Sequence, residues 1–267
     1  MTAGQPPHLP PEIDTSVAHS ARVWNYWLGG KDNFEADQIA GDAYSEKYPR
    51  IKEFARESRD FLRRTVTYLA RDAGVAQFLD LGAGLPTANN THEVAQRIAP
   101  SARIVYVDHD PLVLLHVHAM LTSTPEGATA YVLADMRDTD AVLDGAAATL
   151  DLTRPVALVI SDVLGHIVDW DEALSLVRRL TDRLPSGSYL ALSHSTASDE
   201  AHRAVQDEYN NSGAIPYIFR EPEVTVAFFD GLEMVEPGMV SWPNWRPDAN
   251  TGRTTERAGW GAVARIP

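Results

Sequence analysis

No cysteine occurs among the 267 residues, which removes disulfides, thiolate metal sites and cysteine nucleophiles together. Positive charge is scarce as well: 23 Lys and Arg stand against 37 Asp and Glu, a net charge of −14. A nucleic-acid backbone needs a basic surface, so it is not expected as the main partner, although a small local basic pocket is compatible with this balance. No apolar run approaches the roughly 20 residues of a membrane helix. Met1 to Pro11 lacks the basic and apolar regions of a secretory signal. HExxH is absent too, and His116 and His118, two apart on a helix, point to different faces, so no catalytic metal is expected. These absences make a soluble cytoplasmic protein the expectation, with monomer or homodimer left open. With 44% hydrophobic residues the chain can bury a full core, enough for one large α/β domain or one domain with an added helical segment.

Prolines at 6, 7, 10 and 11 make the first stretch, to about residue 13, a flexible lead. A helix is expected from Asp14 or Thr15 through Leu28, closed by Gly29-Gly30. Val17, Ala21, Trp24 and Leu28 share one of its faces, and Arg22 and Tyr26 another. A short helix over 35–44 follows, and Pro49 opens a longer one with an apolar stripe of Phe54, Phe61, Leu62, Leu69 and Ala73 that Gly74 stops. Its charges (Lys52, Glu53, Arg56, Glu57, Arg59, Asp60, Arg63, Arg64) are expected to form a solvated face. Strands over 78–81, 104–108, 130–135, 155–162 and 189–192 then alternate with helices over 90–98, 111–123, 139–150 and 171–184, the first opened by an Asn90-x-x-Glu93 capping box. That alternation means a parallel sheet with helices on both faces. Two further strands, 234–242 and 259–266, are joined without a helix and so should pair antiparallel. The expected fold is α/β and Rossmann-like: a seven-stranded, mostly parallel sheet with an antiparallel last strand. Residues 1–74 are expected to form a helical cap on a cofactor-binding unit of 75–267, the two making one compact unit.

The chain is organised around Gln77-Phe78-Leu79-Asp80-Leu81-Gly82-Ala83-Gly84. A short buried strand runs into two glycines, which let the backbone turn tightly and approach a ligand closely. The helix that follows offers unpaired N–H groups. Ligands of open α/β sheets sit outside the carboxyl ends of the strands. Asp108 and Asp135 end the second and third strands at that same edge, and Asp108 follows Gly84 by 24 residues, close to the ~20 expected of a ribose-binding acid. Each Asp alone could be a helix cap; three acids and a glycine loop on one edge point to a ligand. The third position of a dinucleotide G-x-G-x-x-G is Thr87, preceded by Pro86, and no Gly-Lys-Ser or Gly-Lys-Thr occurs, so a pyrophosphate is poorly supported. A ligand with adenosine and no phosphates remains.

Asp80-Leu81-Gly82-Ala83-Gly84, Asp108 and Asp135-Met136 resemble the motifs of class I S-adenosylmethionine-dependent methyltransferases. More narrowly, Ala21-Arg22-Val23-Trp24-Asn25-Tyr26-Trp27-Leu28-Gly29-Gly30-Lys31-Asp32-Asn33-Phe34 resembles the opening signature of the actinobacterial family DUF574, as do Gly84-Leu85-Pro86-Thr87, Val107-Asp108-His109-Asp110-Pro111 and Val235-Glu236-Pro237-Gly238. Asn25 stands where that signature has an acidic residue. The resemblance implies S-adenosyl-L-methionine as cofactor and leaves the acceptor open. It implies that Gly82, Ala83 and Gly84 pass the methionine part, that Asp108 holds the ribose hydroxyls, and that His109 flanks the adenine. Asp135 would accept from the adenine amino group, Met136 would pack on the ring, and Ser161 would sit where the sulfonium faces the acceptor. Arg22 and Tyr26 would close the pocket from the first helix, unless Arg22 makes a surface salt bridge.

Methyl transfer asks a protein mainly to position and desolvate the partners. An oxygen or nitrogen acceptor can also need a base; His166, just past the fourth strand, is the candidate, with His194 second, each able equally to be a structural histidine. Trp242, Trp245 and Trp260 could line an aromatic acceptor pocket or belong to the core. The expected activity is methyl transfer to a small-molecule acceptor. A non-catalytic regulatory protein that binds the cofactor, or a nicotinamide oxidoreductase, are the other classes.

Overall fold

The computed structural model describes residues 14–110, 113, 122–248 and 259–267. The proline-rich lead, most of the helix expected over 111–123, and His116 and His118 lie outside them. Three helices come first: α1 (Ser20–Trp27), α2 (Glu35–Lys47) and α3 (Ile51–Arg71). Then β1 (Gln77–Leu81), α4 (Thr91–Ile98), β2 (Arg103–Asp108), β3 (Ala128–Leu133), α5 (Thr139–Ala147), β4 (Ala157–Ser161), α6 (Trp170–Thr181) and β5 (Tyr189–Ser195) alternate. The chain ends with α7 (Glu200–Asn210), α8 (Pro222–Thr225), β6 (Glu233–Met234), β7 (Val240–Ser241) and β8 (Gly259–Arg265).

Among the described residues the strands form one eight-stranded sheet in the order β3-β2-β1-β4-β5-β8-β6, with β7 also on β8. The first five strands pair parallel, and β8 is antiparallel to β5. The order reverses between β1 and β4, which places the ligand-binding edge of such a sheet beside β1. The strand expected over 234–242 is two short pieces, because Pro237 has no N–H to give and Gly238 has φ +81°. Both pieces pair with β8.

Side chains of β1 alternate faces. Phe78 joins the core under α1–α3, while Leu79 and Leu81 join the core under α5 and α6. Asp80 shares Phe78's face and sits opposite Tyr106 and Val159. The helix expected from residue 14 starts at Ser20 instead. Asp14 does cap, accepting from the Ser16 N–H at 2.9 Å, but of a turn that precedes the helix. The stripe expected on α3 is buried at Phe54, Phe61, Leu62 and Leu69. The Asn90–Glu93 capping box forms, with the Asn90 N–H donating to Glu93 Oε2 at 2.8 Å.

Candidate functional site

A cleft opens at the carboxyl ends of β1, β2 and β4 and is roofed by α1. Its floor is Asp80, Gly82, Ala83 and Gly84; its sides are Asp108 and His109, Ala134 and Met136, and Ser161 to Val163; its roof carries Ser20, Ala21, Trp24, Asn25 and Leu28. Gly82 and Gly84 have φ +65° and +61°, the left-handed region that glycine adopts without penalty. A Cβ on Gly82 would lie 2.4 Å from Val163 Cγ2. Asp108 ties this loop to β2: its Oδ2 accepts from the Gly84 N–H at 2.8 Å and its Oδ1 from the Asp110 N–H at 3.0 Å. Each oxygen keeps a second lone pair for a ligand. Asp80 is buried, and its Oδ2 accepts from the Thr91 hydroxyl at 2.6 Å.

The sequence-expected residues do not all come together. Asp80, Gly82, Ala83, Gly84, Asp108, His109, Met136, Ser161 and His166 line the cleft. Asp135 does not. The third strand stops at Leu133, and Asp135 turns outward, half exposed, to face the Arg137 guanidinium at 3.2 Å, which also meets Glu172 at 3.0 Å. Arg22 and Tyr26 are not in the lining either, because the face of α1 that meets the cleft is that of Ala21, Trp24 and Leu28. Arg22 is buried on Asp37, its Nε 3.0 Å from the carboxylate, and Tyr26 donates to Asp42 Oδ1 at 2.7 Å. Asn25 lines the roof and fixes the turn after α1, accepting from the Asp32 N–H and the Asn33 amide at 3.0 and 2.9 Å.

His194 is structural: buried, it is hydrogen-bonded through Nδ1 to the Ser195 carbonyl and through Nε2 to Arg220. Trp242 and Trp245 are fully buried core residues, Trp242 packing on Phe54 with ring centres 4.8 Å apart. Neither these two nor Trp260 lines the cleft.

Two contributors were hidden in the sequence. Arg59, within the charged run of α3, reaches the cleft instead of solvent; one of its NH groups donates to the Asn89 carbonyl at 3.2 Å, and its Nε is buried with no partner. Thr87 Oγ1 and Asp162 Oδ2 are also buried, unpartnered and in the lining. Buried polar atoms normally have partners, so such a group of orphans in one cleft indicates a polar ligand. A second cavity adjoins the first, with Ser20, Trp24, Asp162 and His166 lining both.

The profile described as "S-adenosyl methyltransferase" matches residues 7–267. A DUF574 family protein from Streptomyces avermitilis is 48% identical, with TM-score 0.91 over 96% of this chain and 100% of its own. A candidate methyltransferase from Thermobifida fusca is 37% identical, with TM-score 0.86 over 98% of this chain and 99% of its own. The chain belongs to the S-adenosyl methyltransferase family. No curated protein matches it. S-adenosyl-L-methionine is the cofactor of this methyltransferase and methyl transfer its reaction; neither a non-catalytic module nor a nicotinamide oxidoreductase gains support. The fit with the cleft is physical: a loop that a ligand can approach closely, a carboxylate with spare lone pairs, and an arginine nitrogen lacking a partner.

Two carboxyls of this site are held above the ordinary carboxylate range. Burial pushes Asp80 up to about 6, with the Thr91 hydrogen bond and Arg59 opposing and Asp108 adding. Burial likewise pushes Asp162 up to about 7, against hydrogen bonds from Tyr217 and Ser195. A raised carboxylate contributes stability that is complete below its unfolded value, near 3.8, and lost as pH rises through the folded value. The ligand-free protein should therefore lose stability from these two groups between about pH 4 and 7. Asp162→Asn is expected to flatten that fall, as thermal melts at several pH values would report; a fall of unchanged steepness would count against the Asp162 environment described here.

Proposed function

We propose that this methyltransferase modifies a small molecule. The observation that carries the reading is the second cavity, a small concave site between α1, α2 and α7 that shares Asp162 and His166 with the cofactor cleft. A small concave site suits a small ligand, and a net charge of −14 does not suit a nucleic acid. No helix among the described residues is long and apolar enough to cross a membrane.

In this reading Gly82, Ala83 and Gly84 border the methionine portion, Asp108 accepts from the ribose hydroxyls, and His109, Ala134 and Met136 enclose the adenine. Arg59, with its unpartnered Nε, is the cation available to the α-carboxylate. Ser161 lines the cleft where β4 ends. When bound, the cofactor supplies an electrophilic methyl group on a sulfonium with a neutral thioether as leaving group. The protein's own work is to hold the partners in line, exclude water under α1 and take a proton where the acceptor has one to lose. Two groups at the junction can take it: the His166 imidazole, whose Nδ1–H donates to the Pro216 carbonyl at 2.8 Å and leaves Nε2 as acceptor, and the Asp162 carboxylate.

Calorimetry with S-adenosylmethionine, S-adenosylhomocysteine and NAD tests the assignment. The first two should bind and NAD should not. Arg59→Met should weaken the first two about 10- to 100-fold, the loss of one charge-assisted hydrogen-bonded pair. Unchanged affinity in that variant would remove Arg59 from the cofactor site.

A further inference from the structure

We propose that Thr87 is a specificity-determining residue for the cofactor: its hydroxyl donates, together with Arg59, to the α-carboxylate, and the cleft accepts S-adenosyl compounds well only with that carboxylate in place. The proposal rests on the cofactor reading above and deepens it by naming what the methionine end must carry and which side chains demand it.

A sheet of this kind ordinarily offers an anion the unpaired N–H groups at the start of the helix after the glycine loop. At α4 those groups are largely taken. The Asn90 N–H donates to Glu93 Oε2 at 2.8 Å, and the Asn90 side chain accepts from the N–H of Glu93 and, at 3.0 Å, from that of Thr87. The His92 N–H donates to the Tyr106 hydroxyl at 2.8 Å. The Glu93 carboxylate thus occupies the helix start already, and a second carboxylate there would meet like charge. An anion in this part of the cleft has to find side-chain donors instead.

Two side chains supply them. Thr87 Oγ1 and Arg59 Nε are both buried, both without a partner, and both belong to residues that line the cleft. They are neighbours through the loop: Arg59 Nη2 donates to the Ala88 and Asn89 carbonyls at 3.4 and 3.2 Å, and these are the two residues after Thr87. The turn that carries the hydroxyl is fixed on its far side as well. Asn89 adopts φ +59°, a conformation uncommon outside glycine, and Asn90 Oδ1 holds the Thr87 N–H. A hydroxyl and a guanidinium N–H left unpaired in a buried site each cost free energy, and one carboxylate with two oxygens satisfies both.

Charge makes the carboxylate a requirement. Arg59 is the only Arg or Lys in the cleft lining among the described residues. Burial opposes its charge, while Asp80, Tyr106 and Glu93 favour it from nearby. Asp80 is committed elsewhere through Oδ2, which accepts from the Thr91 hydroxyl at 2.6 Å. Of the histidines in the lining, burial lowers His19 and His166 from their ordinary value, so neither offers a competing cation at neutral pH. An analogue without the carboxylate would cover Arg59 and Thr87 while leaving their donors unmet. Because Arg59 comes from α3 and Thr87 from the loop before α4, the carboxylate also bridges the N-terminal helices to the sheet.

The test is calorimetry of the full chain with two probes: S-adenosylhomocysteine and its decarboxylated analogue, 5′-(3-aminopropylthio)-5′-deoxyadenosine, which keeps the adenosine, thioether and ammonium. The wild-type chain should bind the first at least about 100-fold more tightly, since a site built to hydrogen-bond a group rejects a ligand that lacks it. Thr87→Val, close to threonine in shape, should weaken S-adenosylhomocysteine about tenfold, the range of one hydrogen bond to a charged group, and leave the analogue within about twofold. Thr87→Ser keeps the hydroxyl and should hold the wild-type ratio within about threefold. A purely structural threonine would weaken both probes alike. An unchanged ratio in Thr87→Val, a ratio lost equally in Thr87→Ser, or a wild-type preference below about tenfold therefore overturns the proposal. If Thr87→Val does not fold, Arg59→Met decides: it must weaken S-adenosylhomocysteine and spare the analogue, and equal weakening of both overturns the shared carboxylate site. A wild-type chain that binds neither probe would instead refute the cofactor assignment, a separate outcome.

Discussion

Asp108→Ala is expected to weaken binding of S-adenosylmethionine and S-adenosylhomocysteine by about 10²- to 10³-fold. Two ribose hydroxyls donating to one carboxylate are charge-assisted bonds of roughly 1.5–3 kcal/mol each, and 1.4 kcal/mol is a factor of ten. The loss is compounded because the same carboxylate holds the Gly84 and Asp110 N–H groups, so the variant also loosens the loop that the cofactor lies against. Asp108→Asn keeps one acceptor oxygen and should fall between the two, at about tenfold. Calorimetry reads both. Affinity within about threefold of wild type in Asp108→Ala would sink the ribose assignment, since such a change is smaller than one ordinary hydrogen bond.

Asp37→Ala should lower stability by about 3–5 kcal/mol, the usual cost of leaving a buried charge without its partner. Asp37 is fully buried and accepts from the His19 N–H at 2.9 Å, the Arg22 Nε–H at 3.0 Å and the Phe34 N–H at 2.9 Å. It thus closes the first turn of α2 and pins α1 at once. Without it the Arg22 guanidinium keeps the Asp14 and Val17 carbonyls and the Phe34 ring but no opposite charge in contact. At about 2–4 °C per kcal/mol for a chain of this size, the melting temperature should drop by about 6–20 °C. Because α1 roofs the cleft, cofactor affinity should fall with it, even though neither Asp37 nor Arg22 lines that cleft. A melting temperature within a degree or two of wild type would mean that this ion pair does not hold the roof.

The sheet, the glycine loop and the Asp108 position were legible in the sequence because each is local: an apolar run, a spacing, a carboxylate at a strand end. The periodicity of α1 was legible too, including the separation of Arg22 and Tyr26 from Ala21, Trp24 and Leu28; which face meets the cleft was not, since Asp37 decides that from 15 residues away. Asp135 was misplaced because a distant glutamate, Glu172, helps draw Arg137 and with it the carboxylate outward. Arg59 looked like one more charge on a solvated helix face until the loop carrying Asn89 folded over it. The second cavity has no signature at all, because its walls come from α1, α2, α3, α7 and the segment holding Tyr217 and Phe219. Of the C-terminal tryptophans, which could have been pocket or core, Trp242 and Trp245 belong to the core beside α3 and β8.

The interrupted strand beside β8 has a consequence for behaviour at high concentration. A long unbroken outer strand displays a continuous row of free N–H and C=O groups, onto which another chain can add by backbone pairing. Here that rim is two pieces of two residues each, parted by a proline and a glycine. Too short to template a partner, they leave this side of the sheet poorly suited to fibrous stacking.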